Sequence, residues 1–167
     1  MKNGEKNKMN SSSSDNNKLS RILLVDNEVD NTLLFRMVLE DNGFVVDVFN
    51  DSTLVLANFK PRYYELIILD ISMPKMDGIE LCRNIRKIDD KVKIYFLTAS
   101  EMYNEKLKAS LQDLDQDGKC FISKPVGLDD FVIRINTGIK SALNFDARLD
   151  IRTHLVFQDN LILCTLE

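Results

Sequence analysis

Short runs of apolar residues recur along this chain, and each stops abruptly at a polar or charged residue. The runs are Ile22-Leu23-Leu24-Val25, Phe44-Val45-Val46-Asp47-Val48-Phe49, Leu66-Ile67-Ile68-Leu69, Val92 to Leu97, and Cys120-Phe121-Ile122. They are too short for helices and suit strands buried on both faces, as in a parallel sheet. Between them the period lengthens. Val29, Leu33 and Met37, with Leu34 and Val38, recur at helical spacing and predict a helix over 29–40, stopped by Asn42-Gly43. Asn50, Asp51 and Ser52 offer N-caps for a short helix over 53–59, which ends at Lys60-Pro61. A third helix after Gly78 carries Leu81, Ile85 and Ile88 on one face, with Arg83, Arg86 and Lys87 toward its negative end. A fourth is predicted over 101–114 through Leu107, Leu111 and Leu114, and a fifth over 128–143 through Phe131, Val132, Ile135 and Ile139. Five strands alternating with five helices predict an α/β fold, a doubly wound five-stranded parallel sheet with right-handed crossovers and helices on both faces.

The flanks do not share this alternation. Residues 1–20 are rich in Lys, Asn and Ser and bury too little apolar area to offset ordering entropy, so they read as a disordered polar tail. The domain itself spans 21–143. Residues 144–167 form a C-terminal extension in which Leu155-Val156-Phe157 and Leu161-Ile162-Leu163, separated by Gln158-Asp159-Asn160, suit a hairpin or a packed helix equally. That extension is too short to fold as an output domain of its own.

Composition narrows the class. Hydrophobic residues at 44% and charged residues at 29% of 167 are ordinary for a soluble globular domain. A net charge of -4 argues against a nucleic-acid grip. Cys82, Cys120 and Cys164 are widely spaced and give neither a disulfide framework nor a zinc site, which suits a reducing compartment. No stretch approaches the roughly 18 apolar residues of a membrane helix, and the N-terminus lacks a signal-peptide core. A soluble, cytoplasmic protein with no nucleic-acid or membrane partner is the expectation.

The chemistry gathers where strands end. Asp26, Asn27 and Glu28 follow the first strand, Asp70 the third, Thr98 the fourth and Lys124 the fifth, and parallel strands bring all of these to one edge, where ligands bind in open α/β sheets. Carboxylates, a hydroxyl and an ammonium converging there suit the holding of a hard divalent cation together with a phosphoryl group. Magnesium takes one or two carboxylates with waters and phosphate oxygens, lysine offers a point charge to a phosphoryl oxygen, and threonine a hydrogen bond. Asp70, central among them, can serve as a nucleophile forming an aspartyl phosphate. The loop after Asp70 is shaped: Pro74 holds Met73 extended, Gly78 allows a tight turn, and Asp77 reads as an N-cap.

Asp26, the run Asp70-x-x-Met-Pro-x-Met-Asp-Gly, Thr98-Ala99 and Lys124-Pro125, each at a strand end, resemble the receiver domain of two-component response regulators over roughly Arg21 to Leu143. The resemblance implies a flavodoxin-like strand order 2-1-3-4-5. It also implies Mg²⁺-dependent transfer of a phosphoryl group from a phosphohistidine on a sensor histidine kinase to Asp70. Asp26, Asn27, Asp70 and the backbone carbonyl of Ser72 then hold the metal, Thr98 and Lys124 grip the phosphoryl group, and Phe121 is the aromatic that switches as Thr98 moves. The Lys124-Pro125 bond is commonly cis in that family. A stand-alone receiver acts as a conformational switch through protein contacts, with an unidentified downstream partner or a homodimer formed by the face of the fourth helix, fifth strand and fifth helix. It promotes its own phosphorylation and hydrolysis and is not a turnover enzyme.

Two departures stand out. Asn27 occupies a position that usually carries an aspartate, which weakens the attraction for a cation by up to a few kcal/mol by Coulomb's law. Glu28 can supply a carboxylate directly or through water. Lys124 follows Thr98 by 26 positions, a few more than the family shows, and Asp113-Leu114-Asp115-Gln116-Asp117-Gly118 replaces a small-residue turn. That segment begins like a calcium loop, but Lys124 stands where the loop needs its bidentate glutamate, so a solvated acidic turn is the better reading. The runner-up function is a receiver-like protein-binding module that signals without phosphorylation. A haloacid-dehalogenase-type phosphatase needs a second aspartate two residues after the nucleophile, and Ser72 stands there instead.

Overall fold

The computed structural model describes residues 19–99 and 120–140. The helix predicted over 101–114, the acidic insertion, residues 144–167 and all but the end of the polar tail lie outside the described residues.

The predicted strands form as β1 (Arg21–Val25), β2 (Val45–Phe49), β3 (Leu66–Asp70), β4 (Lys93–Ala99) and β5 (Phe121–Lys124). They pair in parallel in the order β2-β1-β3-β4-β5. The described helices are α1 (Val29–Asp41), α2 (Ser52–Asn58), α3 (Gly78–Ile88) and a C-terminal helix over 128–140. In the central strand β3 the run Leu66 to Leu69 is unbroken and apolar because both sheet faces are covered there. Along β3, Ile67 and Leu69 point into one core with Leu23, Val25, Leu81, Ile85 and Phe96. Leu66 and Ile68 point the other way, into a core with Phe35, Leu39, Phe131, Ile135 and Ile139. These four apolar side chains of β3 are fully buried, each contributing about 1.5–3 kcal/mol of transfer free energy.

Helix α1 forms where its periodicity predicts, yet that periodicity does not mark the buried face. Thr32, Phe35 and Leu39 face the core, while Val29, Leu33, Leu34 and Met37 are exposed. Apolar residues lie on two adjacent stripes of this helix, so spacing alone does not choose between them. Tertiary contacts do: the Phe35 ring lies 4.5 Å from that of Phe131, and the Thr32 hydroxyl accepts a hydrogen bond from Asn50 Nδ2 at 2.9 Å. Ile88, predicted on the inner face of α3, is likewise exposed at the end of its helix. Helix α2 starts one residue earlier than predicted, with Asp51 as its cap, accepting from the Thr53 N–H at 3.0 Å.

Candidate functional site

Three strand ends build the centre. Asp26 directly follows β1, Asp70 closes β3 and Lys124 closes β5. The Lys124 Nζ lies 2.7 Å from Asp26 Oδ2 and 2.7 Å from Asp70 Oδ1. Strand β4 stands between β3 and β5, so the long lysine stem is what lets a cation on the fifth strand meet carboxylates on the first and third. The Lys124-Pro125 peptide bond is cis.

Both carboxylates are withdrawn from water, Asp26 completely and Asp70 to 5% exposure. Burial pushes the Asp70 carboxyl above its ordinary range and the neighbouring Asp26 charge adds to this, against the lowering effect of Lys124 and of the Ser72 backbone N–H. Burial would lower the Lys124 ammonium, but its hydrogen bonds to Asp26 and Asp70 prevail and raise it. Two carboxylates thus share one firmly protonated lysine. Buried charge without full compensation is costly, and a divalent cation among these oxygens offsets it.

Asp26 is held from several sides. Its Oδ1 accepts from the Glu28 N–H at 2.8 Å, its Oδ2 from Asn31 Nδ2 at 3.3 Å, and its carbonyl from Asn50 Nδ2 at 2.8 Å. Asn31 also donates to Glu28 Oε2 at 2.9 Å, and Glu28 itself is exposed. Asn27 lines an open cavity between Asn50-Asp51-Ser52 and Met73-Pro74-Lys75. The described residues contain no group of three His, Cys, Asp or Glu side chains arranged for a metal. A cation here would draw on Asp26, Asp70, the Asn27 amide oxygen and a backbone carbonyl such as that of Ser72. That all-oxygen donor set fits Mg²⁺ better than a soft metal.

The loop after Asp70 is anchored at both ends. Gly78 N–H donates to the Ile71 carbonyl at 3.1 Å, and Asp77 caps α3, accepting from the Ile79 and Glu80 N–H groups at 3.0 and 2.7 Å. Lys75 takes the left-handed conformation, with φ of 68°. Gly78 does not, and its role is space rather than turning, because a Cβ there would meet the Asp70 carbonyl oxygen. Two contacts tie the loop to the start of α2: Lys75 Nζ to Asp51 Oδ2 and Ser52 Oγ to the Met76 carbonyl, both 2.8 Å. The sequence reading missed this clasp and the Asn50 anchor. Asn50 stood out only as one of three possible caps.

Thr98 is buried, with its Oγ1 donating to the Ala99 carbonyl at 3.1 Å. In register it pairs with Ser123, one position before Lys124. The Phe121 ring is turned into the core, 5.1 Å from Phe96 and nearly parallel to it. The predicted Asp26, Asp70 and Lys124, at the ends of β1, β3 and β5, therefore meet directly, while Thr98 lies on β4 and Phe121 at the start of β5.

Comparison with known proteins agrees in kind. Residues 22–136 match the model of the response regulator receiver domain. The chain is 30% identical over 127 residues to the response regulator MprA of Mycobacterium leprae, covering 76% of this chain and 54% of that one. It is 30% identical over 140 residues to hybrid signal transduction histidine kinase B of Dictyostelium discoideum, covering 76% of this chain and 7% of the kinase. A crystal structure of a CheY-like receiver domain protein from Methanospirillum hungatei JF-1 superposes with a TM-score of 0.65 at 26% identity, over 75% of this chain and 98% of that one. The chain spans about half the length of the bacterial regulators it matches, 49% and 54% for two of them.

Proposed function

The chain belongs to the response regulator receiver family of two-component signalling, and from that premise we propose that it accepts a phosphoryl group on Asp70 from the phosphohistidine of a sensor histidine kinase. The observation that carries this reading is the Lys124 ammonium seated 2.7 Å from both Asp26 and Asp70. It supplies a fixed positive charge beside a buried carboxylate at a sheet edge open to ligands.

Asp70 Oδ attacks phosphorus; the new P–O bond forms as the P–N bond to the donor imidazole breaks, and the imidazole nitrogen keeps the electron pair. Mg²⁺, when bound, supplies charge neutralisation at the phosphoryl oxygens. Asp26, Asn27 and the Ser72 carbonyl, with Glu28 directly or through water, would hold it. Lys124 exchanges its bond to the Asp70 carboxylate for one to a phosphoryl oxygen. The Thr98 hydroxyl, now on the Ala99 carbonyl, turns to a second phosphoryl oxygen. Phosphorylation adds about −1.5 to −2 of charge at pH 7. Thr98 and Phe121 are the elements that register it, and the output is a protein contact in the cytoplasm. The face beside β5 serves for that contact or for homodimerisation.

Intact mass after incubation with acetyl phosphate tests this. A single Mg²⁺-dependent phosphoryl adduct, absent from Asp70→Asn, is expected; an adduct that persists in that variant overturns the assignment. Asn27 favours the second reading, a receiver-like module that binds proteins without being phosphorylated. Restoring a carboxylate separates the two: in Asn27→Asp, Mg²⁺ affinity by calorimetry rises about tenfold, on the order of 1.4 kcal/mol. Wild-type protein that binds no magnesium and forms no adduct supports the module instead.

A further inference from the structure

The short segment that leaves β2 fastens both loops beside Asn27. Asn50 Nδ2 donates to the Asp26 carbonyl at 2.8 Å and to Thr32 Oγ1 at 2.9 Å, which ties the loop after β1 to the first turn of α1. On the opposite side, Asp51 receives Lys75 Nζ and Ser52 Oγ donates to the Met76 carbonyl, both at 2.8 Å. Between these fastenings Asn27 lines a cavity of about 240 Å³. Among the described residues, its side chain has no hydrogen-bond partner. Its orientation is therefore set through the backbone.

The Asp26 carbonyl oxygen belongs to the planar peptide that joins Asp26 to Asn27. A donor fixed on that oxygen sets the plane from which the Asn27 side chain departs. The Asp26 carboxylate has restraints of its own, from the Glu28 N–H, Asn31 and Lys124, so the bond from Asn50 bears chiefly on the residue that follows. What Asn27 offers a cation is a neutral amide oxygen. A carboxylate attracts a cation by its net charge, with an energy that falls only as the inverse of distance. An amide dipole attracts only when its oxygen points at the ion, so geometry carries more of the binding at Asn27 than it would at an aspartate. Partners that orient metal ligands in this way are worth about 10–100-fold in affinity. We propose that Asn50 is a positioning residue for the divalent-cation site: it holds the Asp26-Asn27 peptide so that the Asn27 amide oxygen serves as a ligand, and the site depends on it because residue 27 lacks a charge. This inference rests on a cation binding beside Asp26 and Asn27.

Mg²⁺ titrations of the full chain, followed by backbone amide shifts in NMR spectra, test this without any phosphodonor. Asn50→Ala weakens Mg²⁺ binding about tenfold when residue 27 is asparagine, and no more than about twofold in the Asn27→Asp background. Thr32→Val removes the other acceptor of Asn50 and leaves the bond to Asp26, so it disturbs the packing of the loop yet keeps the Mg²⁺ affinity within about twofold. Asn50→Ser, with a side chain too short to reach the Asp26 carbonyl, repeats the loss and serves if Asn50→Ala does not keep its β3 amides at wild-type shifts. Equal weakening in the two backgrounds, or the same weakening from Thr32→Val, would make Asn50 a purely structural contact and overturns the proposal. Wild-type affinity in both Asn50 variants overturns it as well. A wild type that binds no Mg²⁺ overturns the cation reading, and this inference with it.

Discussion

A Cβ atom at Gly78 would stand 2.2 Å from the carbonyl oxygen of Asp70 and 3.1 Å from the Cα of Ile71. Both are backbone atoms and neither can swing aside. The glycine lets α3 begin flush against the end of β3, which fixes where the Asp70 carboxylate emerges. Gly78→Ala must part the helix from the strand, at a cost of about 1–3 kcal/mol. Urea unfolding measures that loss. Adduct formation with acetyl phosphate falls further than the folded fraction does, because the displaced backbone carries Asp70 with it.

Lys124 and the two carboxylates form a second testable unit. Removing the ammonium in Lys124→Met leaves two buried carboxylates facing each other. Breaking a fully buried pair costs 3–5 kcal/mol; with Lys124 itself 22% exposed, about 2 kcal/mol is expected in chelator at neutral pH. Asp70→Asn has the opposite sign, since it removes one of two carboxylates sharing one cation, and raises stability by about 1 kcal/mol. The double variant loses less than Lys124→Met alone. Unfolding curves of the three variants that simply add would show that these groups are not coupled.

The clasp between Lys75 and Asp51 gives a pH signature. The Lys75 ammonium, helped by the Thr53 hydroxyl and N–H, lowers the Asp51 carboxyl from 3.8 to about 2. A folded value below the unfolded one means that ionised Asp51 favours the folded state above about pH 4. This contribution is lost as pH falls through about 2. It is a surface effect and weakens with salt. In Lys75→Met, the Asp51 carboxyl followed by NMR titrates closer to its ordinary value, and acid unfolding begins at higher pH. An Asp51 titration identical in both proteins would falsify the clasp.

The sheet was legible because both its faces are buried. A strand covered on two sides becomes an unbroken apolar run, as in Leu66 to Leu69, and its abrupt polar end marks the edge where Asp26, Asp70 and Lys124 converge. What the sequence hides are contacts between residues far apart along the chain. Asn50 reaching Asp26, Lys75 reaching Asp51 and Gly78 pressed on Asp70 all depend on how loops cross the sheet edge. Their residue types are ordinary for turns and caps. Helix α1 fails for a different reason: Leu33, Leu34, Phe35, Met37 and Leu39 supply apolar side chains around much of its circumference, so the 3.6-residue period fits more than one face.

That ambiguity is settled by comparing two truncations on the same helix. Phe35 is 6% exposed and packed against Phe131, whereas Leu33 is 56% exposed. Phe35→Ala opens a cavity between α1 and the C-terminal helix and costs about 3–5 kcal/mol. Leu33→Ala removes a side chain that the sheet does not touch and changes stability by no more than about 0.5 kcal/mol if nothing covers it. Equal losses at the two positions would mean that α1 is rotated about its axis. The stripe of Val29, Leu33 and Met37 would then belong to the core.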